Sequence, residues 1–217
     1  MKVSEAVLSR SSIRSFLQKN VDDELIKEML QKSSRSASGG NLQPWRIYIL
    51  NNQAMKNFLM FQASFDKPEK SEYDIYPPKL KEPYRTYRYE LGEEMYSILG
   101  IPREDKESRI KQVLKNFEFF GAPAGLFCYV DKQMGPPQWS DLGMFLATFM
   151  LLAKEAGLDT CAQEAWSIKN RCVSEFVGAP DNEMLFCGMA IGYADKNAPI
   201  NTLKSSRSPI SEWTNFI

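Results

Sequence analysis

The chain has 217 residues, enough for one domain with a sizeable core, and its 43% hydrophobic and 25% charged content is ordinary for a globular protein. Its 27 basic residues balance 27 acidic ones, which argues against a nucleic-acid footprint or an acidic membrane partner, so any anion site must be local. Histidine is absent, which excludes Ser-His-Asp and Cys-His catalysis and most zinc chemistry, and Cys128, Cys161, Cys172 and Cys187 form no CxxC pair for a metal or redox centre.

The opening Met1-Lys2-Val3-Ser4-Glu5 lacks the charged-then-apolar layout of a secretion signal. The longest apolar run, Leu142 to Ala153 interrupted by Thr148, is shorter than the ~20 residues a membrane span needs. These features predict a cytoplasmic protein whose residues 1–217 form a single domain.

Val3 to Ser9 reads as a short helix. Arg10-Ser11-Ser12-Ile13-Arg14 follows, closed by Phe16, and carries two guanidiniums and two hydroxyls in five residues. In an extended segment side chains alternate faces, which puts Arg10, Ser12 and Arg14 on one side. Two planar cations flanking a hydroxyl suit a phosphate dianion. Taken alone, the same residues fit two surface arginines after a helix equally well.

Asp22 is placed to N-cap a helix running through Lys32, with Leu25, Ile26, Met29 and Leu30 on one face. Ser33 to Gly40 is a polar loop of small residues. Within Ser38-Gly39-Gly40-Asn41-Leu42-Gln43-Pro44, the glycines allow positive φ and close approach of a flat ligand, while Asn41 and Gln43 offer amide groups. Trp45 to Leu50 reads as a strand and Gln53 to Gln62 as a helix.

Residues 64–88 differ in character, holding four prolines, many charges and a set of tyrosines. Proline at that density opposes regular structure, and loops of this length are commonly functional, so the segment reads as a lid or pocket wall. Polar helices are expected near Tyr84–Leu99 and Arg103–Phe119.

Gly125 to Val130 is a second strand. Trp139 to Gly157 is the strongest helix signal; it is apolar nearly all round, as for a core helix, with Gly157 suited to its C-terminal cap. Leu158 to Gln163 is short and extended, Glu164-Ala165-Trp166 opens a turn, and Ser167 to Val177 reads as another helix. Met184 to Tyr193 is an apolar central strand. From Asp195 the chain becomes a polar arm, 195–217, with Lys204-Ser205-Ser206-Arg207 and isolated apolar residues ending in Trp213 and Phe216. Helices alternating with a few strands predict an α+β or mixed α/β class. With neither GxxxxGK[ST] nor GxGxxG present, residue chemistry alone leaves an anion-binding domain without a named reaction.

The clusters say more in their order along the chain. Ser9-Arg10-Ser11-Ser12-Ile13-Arg14-Ser15-Phe16 resembles the SRRSxRxF opening of the nitroreductase family of FMN flavoproteins. Ser38 to Trp45 resembles that family's SxxNxQPW segment, and Gly157-Leu158-Asp159 into Glu164-Ala165 resembles its GLxxxxxEG stretch. Gly188 to Gly192 resembles its late strand, and Arg207 its C-terminal phosphate-binding arginine. Ser11 departs from the Arg or His of many relatives, and Ala165 from the common Gly.

The resemblance implies an α+β fold with a central mixed sheet flanked by helices, and an intertwined homodimer with two FMN sites. It implies that Arg10, Ser11, Ser12, Arg14 and Arg207 hold the phosphate end, that Ser38, Gly39 and Asn41 reach the flavin from the other subunit, and that Gln163, Glu164 and Ala165 flank the ring. A backbone N–H at Glu164-Ala165 would then face flavin N5, and the flavin itself would carry the chemistry, with no catalytic side chain and no metal. The implied reaction is ping-pong, with NADH or NADPH as reductant and nitroaromatics, quinones or related small molecules as acceptors. Tyr73, Tyr76 and Tyr84 are expected to line the substrate side. Reductive dehalogenation, oxidative breakdown of the flavin, or flavin binding without turnover are the alternatives on the same fold.

Overall fold

The structure is a computed structural model and describes residues 1–217. Four strands, β1 (Arg46–Asn51), β2 (Ala124–Asp131), β3 (Asp159–Gln163) and β4 (Glu183–Gly192), form one sheet in the order β1-β2-β4-β3. The helices are α1 (Val3–Ser9), α2 (Asp23–Ser33), α3 (Gln53–Ala63), α4 (Tyr84–Ile98), α5 (Lys106–Leu114), α6 (Pro136–Glu155) and α7 (Asn170–Val177). This is the α+β class predicted.

The helix starts follow from capping. Asp22 accepts from the Glu24 N–H at 2.9 Å and opens α2 as expected. α6 begins at Pro136, three residues before the expected Trp139, because proline is pre-set for the first helical turn. Gly157 takes φ +77° just past the end of α6. The polar helix expected over Arg103–Phe119 is shorter: Asp105 caps α5 at the Ser108 N–H, and Lys115–Gly121 continues as a 3-10 turn. There Phe119 and Phe120 take φ +48° and +54° while burying their rings. Packing of two aromatics outweighs local helical geometry.

The sheet is antiparallel at every pairing, where a mixed sheet was expected. The reason lies in strand order. β2 and β3 run parallel to one another, as strands joined by the crossover helix α6 should. β4, however, inserts between them antiparallel to both. Parallel pairing survives only as a bridge between Ser12 and Thr160, outside the named strands.

β2 and β4 are central and buried on both faces. One face carries Leu126, Cys128, Val130, Met189 and Ile191 against Phe145, Phe149 and Leu142 of α6 and Ile26 and Met29 of α2. The other carries Phe127, Tyr129, Leu185 and Ala190 against Phe58 of α3, Val173 of α7, Phe119 and Trp166. All four cysteines are free and buried, Cys172 included, although Asn170 and Arg171 precede it.

The β2–β4 register slips between Cys128 and Tyr129, which pair with Cys187 and Leu185 and leave Phe186 opposite nothing. The Phe186 carbonyl accepts the Tyr73 hydroxyl instead, and the Tyr73 ring lies against Phe186 and Trp139.

Trp166 sits against the strand face at Gly188, where an added Cβ would lie 2.3 Å from the indole Cδ1. Gly188→Ala is therefore expected to destabilise the protein by about 1–3 kcal/mol, the usual range for overpacking a core, read as a lower urea midpoint at unchanged m-value.

Candidate functional site

The Arg10–Arg14 segment leaves α1 in extended conformation and docks on β3, an edge strand of the sheet. The Ile13 N–H donates to the Thr160 carbonyl at 3.0 Å, beside the Ser12–Thr160 bridge. Ile13 is buried, so its neighbours on either side are turned outward. Asn201, from the C-terminal arm, locks this arrangement. Its Oδ1 accepts the Arg14 N–H at 2.8 Å, and its Nδ2 donates to the carbonyls of Ser15 and Asp195 at 2.8 and 2.9 Å. Nothing in the sequence marks that asparagine, one polar residue in a polar arm.

The result is a cleft of about 870 Å³ lined by Arg10, Ser11, Ser12, Arg14, Lys204 and Arg207, with Leu91, Met150 and Leu151 as apolar wall. The segments that form it are separated by nearly the whole chain. None of its four cations forms an ion pair with a carboxylate; the ion pairs of the protein lie elsewhere. Arg14 donates to the Ser12 carbonyl at 3.2 Å, and Arg207 to Ser205 Oγ and the Ser206 carbonyl at 2.7 Å. Burial pushes the Cys161 thiol up, opposed by Arg14, a Ser12 hydrogen bond and Arg10. Four uncompensated cations with hydroxyls among them constitute a site for a compact, multiply charged anion.

β3 leads from this cleft to Glu164, where a 3-10 turn, Glu164–Lys169, begins. The leading N–H groups of such a turn have no partner within it. Glu164 opens outward, and desolvation by the surrounding protein holds its carboxyl above the usual range. Buried polar atoms without partners follow the same path: Thr160 Oγ1, Gln163 Oε1 and Ser167 Oγ. Gln163 itself is buried, its Nε2 donating to the Asn116 carbonyl at 2.7 Å while its Oε1 has no partner.

Ser38, Gly39 and Asn41 are not among the residues lining the cleft. Their loop lies on α6, where buried Asp141 accepts the Gly39 N–H at 3.2 Å, Trp45 stacks on Phe145, and Ser36 meets Thr148 at 3.0 Å. Positions 141, 145 and 148 share one face of the helix, whereas Ala147, Met150 and Leu151 line the cleft from another. Gly40, Asn41 and Gln43 all take positive φ, and the Ser38 hydroxyl accepts the Gln43 N–H at 3.1 Å.

Tyr73, Tyr76 and Tyr84 do not line the cleft either. Tyr73 is half-buried with its hydroxyl donating to the Phe186 carbonyl, and burial pushes its pKa up to about 12. Tyr76 is exposed beneath Arg88, whose guanidinium lies 4.3 Å from the ring centre. Tyr84 is exposed at the start of α4.

Asn201→Leu removes three hydrogen bonds at once from the junction of the two termini. A loss of about 1–3 kcal/mol per group left unpaired is expected, with faster amide exchange at Arg14.

Comparison with known proteins identifies the family. A family model described as "Nitroreductase family" matches residues 7–193. A nitrobenzene nitroreductase of Ectopseudomonas oleovorans is 34% identical, over 99% of this chain and 96% of its own length. A 4-nitrobenzoate reductase of Pseudomonas putida is 32% identical, over 97% of this chain and 93% of its own. Among solved structures, the FMN and NADPH-dependent nitroreductase NfnB of Sphigopyxis sp. strain HMH superposes with a TM-score of 0.93 at 38% identity, covering 100% of this chain and 99% of that one.

Proposed function

The chain belongs to the nitroreductase family, and we propose that this member is an FMN-dependent oxidoreductase that uses NADH or NADPH to reduce nitroaromatic, quinone or related small-molecule acceptors. The observation that carries the reading is the cleft where Arg10, Arg14, Lys204 and Arg207 converge without a carboxylate partner. FMN fits those residues, since its phosphate dianion matches the cations and the Ser11 and Ser12 hydroxyls, and the apolar wall accepts the rest of the molecule. Bound FMN would supply the redox chemistry, taking hydride from NAD(P)H and delivering electrons to the acceptor.

The chain's own contribution is binding and electrostatics. Arg10, Arg14 and Arg207 hold the phosphate end. The main chain at Glu164-Ala165, at the far end of β3 from the cleft, would supply donors to the ring. No histidine is required for this, because orientation and charge are provided by arginines and peptide groups. A single reducing site used in turn by donor and acceptor corresponds to a ping-pong scheme. Of the three tyrosines, Tyr76 and Tyr84 have exposed rings for an acceptor, while Tyr73 anchors the segment they stand on.

The protein acts as a homodimer in this reading. The Ser38–Asn41 loop lies on a different face of α6 from the cleft, as a loop serving a second copy's flavin would. Exposed apolar side chains on α1 and at the C-terminus, Leu8 at 87% and Phe216 at 92% exposure, provide surface for the partner. No helix is long and apolar enough to cross a membrane.

Purified protein is expected to be yellow, to release FMN on denaturation, to bleach anaerobically with NADH or NADPH, and to elute as a dimer. Protein that stays colourless after incubation with FMN overturns the reading. Arg14→Ala should weaken FMN retention by roughly 10–100-fold, since a charge-assisted hydrogen bond contributes about 1.5–3 kcal/mol, as measured by flavin fluorescence on dilution.

A further inference from the structure

α7 starts where the Glu164–Lys169 turn ends, so whatever fixes its first turn fixes that turn's exit. Its own N-cap residue, Lys169, makes no side-chain bond to the helix. The N–H groups that a cap serves are those of Arg171 and Cys172. Both donate to Glu69, at 2.9 Å to one carboxylate oxygen and 3.1 Å to the other. The cap is thus supplied by the long segment between α3 and α4, about a hundred residues earlier in the chain.

Other contacts fasten the same segment without capping the helix. Lys67 pairs with Glu175 of α7 at 2.7 Å. Glu72 accepts from Asn170 Nδ2 at 3.3 Å and pairs with Lys132 at 3.0 Å. Tyr73 fastens the same stretch to the carbonyl that the β-bulge leaves open at Phe186. On its inner side the turn is seated by Trp166, fully buried against Phe58, Phe119 and Phe127.

We propose that Glu69 is a positioning residue: by capping α7 from the long segment, it sets where the Glu164-Ala165 main chain meets the bound flavin. The proposal rests on the reading above that FMN lies against that turn. A carboxylate taking two N–H bonds at the positive end of a helix is a charge-assisted cap. Without it the first turn of α7 frays, and the preceding turn loses its downstream anchor. Hydrogen bonds weaken steeply with distance and angle, so a small drift of the turn alters what its N–H groups deliver to the ring.

The test compares FMN-loaded wild type, Glu69→Ala, Glu69→Gln and, as a control on another tie of the segment, Glu175→Ala. Amide exchange over residues 164–172, the midpoint potential of the bound flavin and the rate of its anaerobic reduction by NADPH are measured at equal FMN occupancy. Expected for Glu69→Ala are faster exchange at Arg171, Cys172 and the turn, a shifted potential and reduction slowed about tenfold, as for a small misplacement at a reacting centre. Glu69→Gln, whose amide oxygen still accepts, should fall between it and wild type, and Glu175→Ala should match wild type. Faster exchange with unchanged potential and reduction rate overturns the proposal, leaving Glu69 a structural cap. If Glu69→Ala does not fold, wild-type flavin behaviour in Glu69→Gln overturns it alone. Wild type that takes up no FMN removes both the functional reading and this role, and is told apart because the unmutated protein is itself colourless.

Discussion

The candidate site depends on one short piece of main-chain pairing: Ser12 and Ile13 against Thr160 on the open edge of β3. A sheet edge offers unpaired N–H and C=O groups, and an unprotected one is a liability. Here the N-terminal segment takes up part of that edge. Burying Ile13 beneath it turns Arg10, Ser12 and Arg14 outward without any need for a special backbone conformation. Asn201 then ties the C-terminal arm to the same segment, which is how Lys204 and Arg207 come to face arginines near the other end of the chain. Gathering like charges raises the free energy of the empty cleft, and the hydrogen-bonded frame beneath makes that arrangement persist.

The edge strand also connects the cleft to the turn at Glu164. That turn is seated from inside by an aromatic cluster, with Trp166 pressed on Gly188, and held from outside by carboxylates of the long segment. The bulge in β4 belongs to the same arrangement, because the carbonyl it exposes is where Tyr73 fastens. A region of the sequence that looks irregular and proline-rich is therefore bound to the sheet and α7 by specific polar contacts. Its tyrosines divide accordingly, with Tyr73 committed to the fold while Tyr76 and Tyr84 remain at the surface.

Much of this was legible in the sequence where the cause is local. Asp22 announces α2 by a side-chain bond two residues away, and the all-round apolar surface between Leu142 and Ala153 identifies α6 as the core helix. The arginine segment suggested an anion site by residue type and Arg207 joined it only through the family resemblance; the structure brings both to one cleft. What escaped was set by contacts between distant residues. The insertion of β4 between β2 and β3 leaves no local trace, so an antiparallel sheet was expected to be mixed. The break of α5 into a 3-10 turn is imposed by the burial of Phe119 and Phe120. Asn201 and Glu69 are ordinary polar residues until the fold shows which backbone groups they serve. Gln163, singled out by its place in a motif, also donates to the Asn116 carbonyl, a partner the sequence does not announce.

The composition of the cleft has one more consequence. Its charges belong to three arginines and a lysine, no carboxylate shares the pocket, and the chain has no histidine anywhere. The pocket therefore offers a positive potential made by guanidinium and ammonium groups alone. A phosphate ester held there would bring its own second ionisation, near pH ~6, so that the guest's charge, and with it the match to the cleft, would grow as that proton leaves.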